Sequence, residues 1–312
     1  MKSNFCHVIV FATVCSLPMA ACSGGGGGVA AAPAPAAPAP VVTPSGSPVN
    51  LQAASTRVAY PAAAVTAVVT STGTGSVINS ASGQGATLTL GTDASGKLNA
   101  IVFSLPGLSL QYPAPLTSLS SPPSVDSIAS DLNDNLGPPG SIGVVLTQAA
   151  AGQILSASSY GLWLHTDSTN NAQVGSFAFG NLTPAASVPA TGSATFNGFA
   201  IGTASTLNGG SLYAVQGNAQ IIANFVTQNV TTNLTNLTVQ NEPYAPAATI
   251  ASLPNLSGTS AMTGNSYAGP IAGGALSGTI NGNFYGPAAQ ETAGVWQASG
   301  GGNQWVGSFG AK

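Results

Sequence analysis

Charged residues are scarce in this chain. Of its 312 residues, four are Lys or Arg and seven are Asp or Glu, so 4% carry a formal charge, against about a quarter in an ordinary soluble domain. With so few basic residues and a formal net charge of −3, the protein cannot build the cationic surface that neutralises phosphate groups. Nucleic-acid binding and charge-driven attachment to a membrane surface are therefore excluded.

The residues that perform most polar catalysis are equally few. The chain has two histidines, and it contains no Gly-x-Ser-x-Gly elbow and no His-Glu-x-x-His motif. Glu291 is a lone acid without a partner in sequence, so we interpret it as a residue that binds nearby backbone donors. We predict that the protein is not an enzyme and has no catalytic residues and no metal site.

Cysteine occurs only at the N-terminus, at Cys6, Cys15 and Cys22. Lys2 precedes an apolar run over residues 8–17 that is too short to span a bilayer, and small residues lie directly before Cys22. This arrangement resembles a bacterial lipobox, which predicts a signal peptide at 1–21 and lipidation of Cys22. A plain secretory signal with an incidental cysteine is the alternative. The mature chain would keep one cysteine, so we expect no disulfide.

Composition divides the rest of the chain into three parts. Residues 22–48 are rich in Gly, Ala and Pro and predict a flexible tether. Residues 49–152 predict a β-rich domain, with a hairpin whose strands are 86–90 and 98–103. The apolar spacing within 125–136 predicts one helix there.

Residues 153–312 contain fifteen aromatic residues, against three in 49–152. Short strand candidates separated by turn residues fill this region, without helical spacers. They are 154–166, 173–180, 192–204, 211–217, 219–227, 230–240, 256–263, 275–285, 293–298 and 304–310. We predict an all-β protein whose C-terminal domain is a closed antiparallel barrel of about eight strands, since closure removes edges that these uncharged strands cannot protect with lysine.

Several sequence blocks in this region are distinctive. They are YGLW (160–163), GSFAFG (175–180), PATGSATFNG (189–198), GNFYGPAAQE (282–291), AGVW (293–296) and VGSFGAK (306–312). In order and spacing they resemble the β-barrel domain of the transferrin-binding protein B family of bacterial surface lipoproteins. We expect the aromatic residues Trp163, Trp296, Phe284 and Phe309 to fill the barrel interior.

The resemblance implies a role as well as a fold. Family members place a handle domain before the barrel, and residues 49–152 occupy that position. The resemblance implies a lipid anchor in the outer membrane, display on the cell surface, capture of an iron- or haem-carrying protein, and delivery to a TonB-dependent receptor. A structural or adhesive envelope lipoprotein without a nutrient partner is the alternative.

A third hypothesis depends on His165, the one histidine that remains after cleavage at Cys22. It follows Trp163 and Leu164 near a predicted strand end, where it could bind haem as an axial ligand. A single imidazole does not define a pocket, so a surface or hydrogen-bonded histidine is the simpler interpretation.

Overall fold

The computed structural model describes residues 41–42, 58–69, 75–92, 98–105, 108–112, 132–133, 142–166, 172–206, 212–240 and 249–312. Side-chain burial is described for 147–163, 174–204, 213–239 and 252–312. Within the described ranges the chain forms twenty strands and one short 3-10 helix, Ala185–Ser187. The strands are β1 (Val41–Val42), β2 (Val58–Val69), β3 (Gly75–Thr92), β4 (Leu98–Leu105), β5 (Leu108–Tyr112), β6 (Leu132–Asn133), β7 (Ile142–Thr147), β8 (Ala149–Ala150), β9 (Gln153–Ile154), β10 (Ser158–Thr166), β11 (Ala172–Gly180), β12 (Ser193–Thr206), β13 (Leu212–Asn224), β14 (Asn229–Gln240), β15 (Thr249–Ser252), β16 (Leu256–Thr263), β17 (Ser266–Gly273), β18 (Leu276–Tyr285), β19 (Glu291–Gly300) and β20 (Asn303–Ala311).

Eight antiparallel strands at the C-terminal end close into a barrel. Their order in space is β13, β12, β20, β19, β18, β17, β16 and β14, and pairing of β13 with β14 closes the ring. Strand β15 pairs with the distal end of β14. The prediction of an all-β protein with a closed barrel of about eight strands is confirmed.

Alternating burial explains why these segments form strands with one face toward the barrel interior. In β16, Leu256, Ser260 and Met262 are buried, whereas Ser257 and Ala261 between them are exposed. Because successive side chains in a strand point to opposite faces, this pattern places one set inside the barrel. The barrel interior therefore holds apolar and small residues, while the outer wall carries short neutral ones.

Strands β19 and β20 depart from this alternation because both of their faces are buried. The inner face contributes Trp296 and Phe309, which pack in the barrel core with Phe284 of β18, as predicted. The outer face contributes Ala293 and Val306, which are equally inaccessible to solvent. A second layer of structure must therefore cover the outside of the barrel on this side.

That layer is a sheet built from the preceding part of the chain. Its order is β5, β4, β3, β2, β11, β10, β7 and β6, and β1 lies parallel to β2. The predicted hairpin is confirmed by antiparallel pairing of β3 with β4, in which Thr92 lies opposite Leu98. Leu132 and Asn133 form β6 and pair with β7, so the helix predicted over 125–136 is wrong at these two residues. The remainder of that segment lies outside the described residues.

Strands β10 and β11 belong to this first sheet, although the predicted division at residue 153 placed them with the barrel. Strand β10 pairs with β7, and β11 pairs with β2. Trp163 is buried opposite Gly175 in this sheet, so its predicted place in the barrel interior is wrong. Aromatic content follows burial, and the strands of the first sheet that pack on the barrel are buried as deeply as the barrel strands.

The barrel also contains one strand that the sequence pattern did not indicate. Strand β17 includes Pro270, and proline is uncommon inside a sheet because it lacks an N–H donor. Its pairing with β18 is continuous, but the pairing of β17 with β16 is interrupted between Ala268 and Ala272. The missing donor of Pro270 lies within that interruption.

Candidate functional site at the junction of the first sheet and the barrel

The structure describes only one of the two predicted site residues. Cys22 lies outside the described residues, so its lipidation stays a prediction. The backbone of His165 lies in β10, opposite Gln173 of β11 and Ile142 of β7. Its side chain lies outside what the structure describes, so haem ligation also stays a prediction. Among the described residues there is no group of three or more His, Cys, Asp or Glu that could hold a metal ion.

An apolar layer joins the first sheet to the outer wall of the barrel. Tyr160 and Ala178 of the first sheet pack with Ile201, Tyr285 and Ala293 of the barrel, and all five are buried. Burial raises the pKa of the Tyr285 hydroxyl well above its ordinary value. This layer removes a large apolar area from water, and this burial stabilises the junction without requiring a particular bond geometry.

The hydrogen bonds across the junction centre on Glu291, the first residue of β19. Its side chain is 1% exposed. Carboxylate oxygen Oε1 accepts hydrogen bonds from the backbone N–H of Ser156 at 2.7 Å and from the Ser156 hydroxyl at 2.9 Å. Oxygen Oε2 accepts from the backbone N–H of Ala157 at 2.9 Å and from the Ser158 hydroxyl at 2.9 Å. Each oxygen therefore has one backbone donor and one hydroxyl donor, which compensates for the cost of burying the charge.

Lys312 provides the counter-charge. Its Nζ lies 3.4 Å from Oε1 of Glu291 and donates a hydrogen bond at 3.3 Å to the carbonyl oxygen of Ile154. Within the ranges for which side-chain burial is described, Glu291 and Lys312 are the only charged residues. In that part of the chain, both charges lie at the junction.

The turn that precedes Glu291 is connected to the segment between the two sheets. Thr183 is fully buried; its hydroxyl donates to the carbonyl oxygen of Gly286 at 2.8 Å and accepts from the N–H of Ala289 at 3.2 Å. Gly286 has φ +83°, a conformation that glycine adopts without steric cost. The turn is therefore held from one side by Thr183, while the carboxylate beyond it binds the first sheet.

The sequence interpretation identified part of this arrangement. It predicted that Glu291 binds backbone donors, and it does. The donors, however, belong to Ser156 and Ala157, 135 and 134 residues away, and not to the adjacent turn. Sequence spacing carries no signal for such a contact. The only indication was indirect, because a carboxylate within a strongly apolar strand must find partners when it is buried.

The outer wall of the barrel away from the first sheet is neutral. On it, the amide side chains of Asn197, Gln220 and Asn233 lie in register on three adjacent strands. Gln220 bonds to Asn197 at 3.3 Å and to Asn233 at 3.4 Å. Thr279 and Gln297 form a similar pair at 3.1 Å on β18 and β19. Neutral cross-strand hydrogen bonds therefore link adjacent strands on this face.

The barrel strands match a known family model. Residues 188–312 match the family model described as the C-lobe and N-lobe beta barrels of Tf-binding protein B. The C-terminal barrel is therefore similar to the barrels of transferrin-binding protein B. The match covers all eight ring strands, whereas the blocks at 160–163 and 175–180 fall outside it.

Solved structures share only low sequence identity with this chain. A transferrin-binding protein B mutant from Haemophilus parasuis is 14% identical with a TM-score of 0.44, over 80% of this chain and 45% of that one. Transferrin-binding protein B from Neisseria meningitidis is 16% identical with a TM-score of 0.42, over 80% of this chain and 43% of that one. This chain thus spans less than half the length of those two proteins.

A third similar structure is shorter. HpuA from Kingella denitrificans, in complex with human haemoglobin, is 13% identical with a TM-score of 0.44, over 86% of this chain and 94% of that one. The comparison with curated proteins finds no match. Among the described residues, no helix has the length and apolar character needed to cross a membrane.

Proposed function

We propose that this protein is a lipid-anchored outer-membrane protein that binds an iron- or haem-carrying protein at the cell surface for nutrient uptake. The observation that supports the proposal is the similarity of residues 188–312 to the barrels of transferrin-binding protein B. A protein of this kind acts by shape-complementary binding, without making or breaking bonds. The scarcity of histidine and carboxylate side chains agrees with such a role.

The neutral outer wall favours a particular kind of binding. A surface with almost no charge has little field to steer a partner, so association depends on shape, hydrogen bonds and apolar contact. We therefore expect association rates in the range of unsteered encounters, about 10⁵–10⁶ M⁻¹s⁻¹. We also expect these rates to change little between low and physiological salt.

Binding can be tested with purified carriers. The chain would be immobilised and exposed to transferrin, lactoferrin and haemoglobin, with lysozyme as a control protein that carries neither iron nor haem. Saturable recovery of one carrier, at a rate that is insensitive to salt, supports the proposal. Recovery of none would favour the structural or adhesive alternative.

Anchoring and location need separate experiments. We expect radiolabelled palmitate to be incorporated into the wild-type chain and into Cys15→Ala, but not into Cys22→Ala. An unlabelled wild type would contradict lipidation.

Protease treatment of intact cells should remove the barrel, because a protein that faces the periplasm cannot capture a carrier outside the cell. Copurification with a TonB-dependent receptor from detergent-solubilised membranes would support delivery.

Haem binding at His165 is a separate proposal. It is supported by the presence of a single histidine in residues 22–312. A Soret band on addition of haemin that is lost in His165→Ala supports it, and a band that persists in that variant excludes His165 as the ligand.

A further inference from the structure

We propose that Glu291 is a positioning residue that locks the first sheet onto the barrel, and that its negative charge is required for this. The proposal concerns the protein alone and does not depend on the identity of any binding partner. It rests on the geometry around the carboxylate, on the chain segment that supplies the donors, and on the concentration of charge at this point.

The donors form an anion-binding nest. Ser156 and Ala157 are consecutive, and their backbone N–H groups both point at the carboxylate, one to each oxygen. Consecutive N–H groups that converge in this way bind anions. Here the anion is a side chain from the other layer of the molecule, so its binding joins two parts of the chain.

The nest lies at the point where the first sheet begins to cover the barrel. Residues 156–157 form the bend that leads into β10, and Ala157 is 4% exposed. The carbonyl oxygen of Ala157 accepts a hydrogen bond from the N–H of Asn181 at 2.9 Å. The N–H of Gly286 in turn donates to the carbonyl oxygen of Asn181 at 3.0 Å. The bend is therefore tied to the connecting segment on one side and to Glu291 on the other.

A carboxylate satisfies all of these donors at once, whereas a neutral amide does not. Glutamine has the same shape as glutamate, but one of its two terminal atoms is an NH₂ group, which donates and cannot accept. A hydroxyl can rotate to accept from that NH₂ group, whereas the backbone N–H of Ser156 or Ala157 cannot. In Glu291→Gln, whichever way the amide is oriented, one buried backbone donor loses its acceptor.

The experiment is hydrogen–deuterium exchange of the full chain, read in peptides that cover residues 154–160. In Glu291→Gln we expect exchange there to rise by about tenfold to a hundredfold, since hydrogen bonds to a charged group are lost in a buried site. Peptides from the β13–β14 hairpin should keep their wild-type rates. Small-angle scattering should show a larger radius of gyration as the first sheet gains freedom.

Ser308→Ala is the matched control. The Ser308 hydroxyl donates at 2.9 Å to the carbonyl oxygen of Gly161, across the same junction, and both partners are neutral. Its loss leaves no backbone N–H without an acceptor, so exchange in 154–160 should change by less than about threefold. An equal effect of Ser308→Ala and Glu291→Gln would show that any junction contact suffices, which overturns the requirement for charge.

Two further outcomes would overturn the proposal. Unchanged exchange in 154–160 in Glu291→Gln means that the carboxylate does not hold the bend. An equal rise in the β13–β14 hairpin means that the variant is unfolded globally and that the effect is not local.

If Glu291→Gln does not fold, the double variant Ser156→Ala, Ser158→Ala keeps the carboxylate and both backbone donors. It should raise exchange in 154–160 by about threefold to tenfold, and no rise would also overturn the proposal.

Discussion

The inner wall of the barrel offers a sharp test of how its aromatic residues and glycines fit together. Trp296 of β19 lies directly opposite Gly307 of β20, and its ring covers that glycine. A methyl group added at Gly307 would meet the indole ring and the carbonyl oxygen of Ile201. The indole is 1% exposed and therefore has little room to move. We expect Gly307→Ala to destabilise the protein by about 1–3 kcal/mol, the usual cost of overpacking a core.

A double-mutant cycle separates this clash from a general effect on the strand. Trp296→Leu removes the ring that the new methyl group would meet. In that background Gly307→Ala should cost less, with a coupling energy of about 1–2 kcal/mol. The relief should be partial, because the Ile201 carbonyl oxygen remains in place. Urea unfolding followed by far-ultraviolet circular dichroism gives the four free energies of unfolding.

Gly310, on the same strand, supplies the control for the effect of Trp296. It lies on the outer face of the same strand, where an added methyl group would meet the ring of Tyr160 in the first sheet. Trp296→Leu should therefore give no relief to Gly310→Ala. If Gly307→Ala leaves the free energy of unfolding unchanged, or lowers it equally with tryptophan and with leucine at position 296, the indole ring does not limit the space at Gly307.

Three other predictions follow from buried groups. Thr183→Val leaves the N–H of Ala289 and one acceptor site on the Gly286 carbonyl without their partner. In chemical denaturation it should lower the free energy of unfolding by about 1–3 kcal/mol, whereas Thr183→Ser should keep most of the wild-type value. Phe284→Ala should cost about 3–5 kcal/mol, since its ring packs with three aromatic rings at centroid distances of 5.4 to 6.0 Å; a thermal scan that matches wild type would contradict this. Burial raises the pKa of Tyr267 above its ordinary value near 10; the unfolded chain therefore releases this proton first, so stability should fall as pH rises above about 10, and the fall should be smaller in Tyr267→Phe.

Much of the barrel could be predicted because its strands obey a local rule. Short strand candidates separated by turn residues are visible in the sequence, and they indicated most of the ring strands. The exception, β17, contains Pro270, and a proline normally argues against a strand. Only the arrangement of neighbours shows that its missing N–H coincides with an interruption in the ladder to β16.

The boundary between the two layers could not be predicted in the same way. Trp163 and Trp296 both lie in aromatic and glycine-rich strands, and each covers a glycine on the adjacent strand, Gly175 and Gly307. Locally the two pairs are equivalent. They belong to different sheets because β10 pairs with β7 and not with any barrel strand, and strand pairing is a long-range choice.

The chemical character of this protein follows from its composition. Eleven charges in 312 residues predict a neutral β-sheet exterior without a phosphate-binding surface, and composition alone is enough for both predictions. The partners of Glu291 became clear only from the folded structure. Glu291 binds Ser156 and Ala157, which are distant in sequence and adjacent in space. A buried carboxylate requires several donors, and in this chain the folding of one sheet onto the other brings them together.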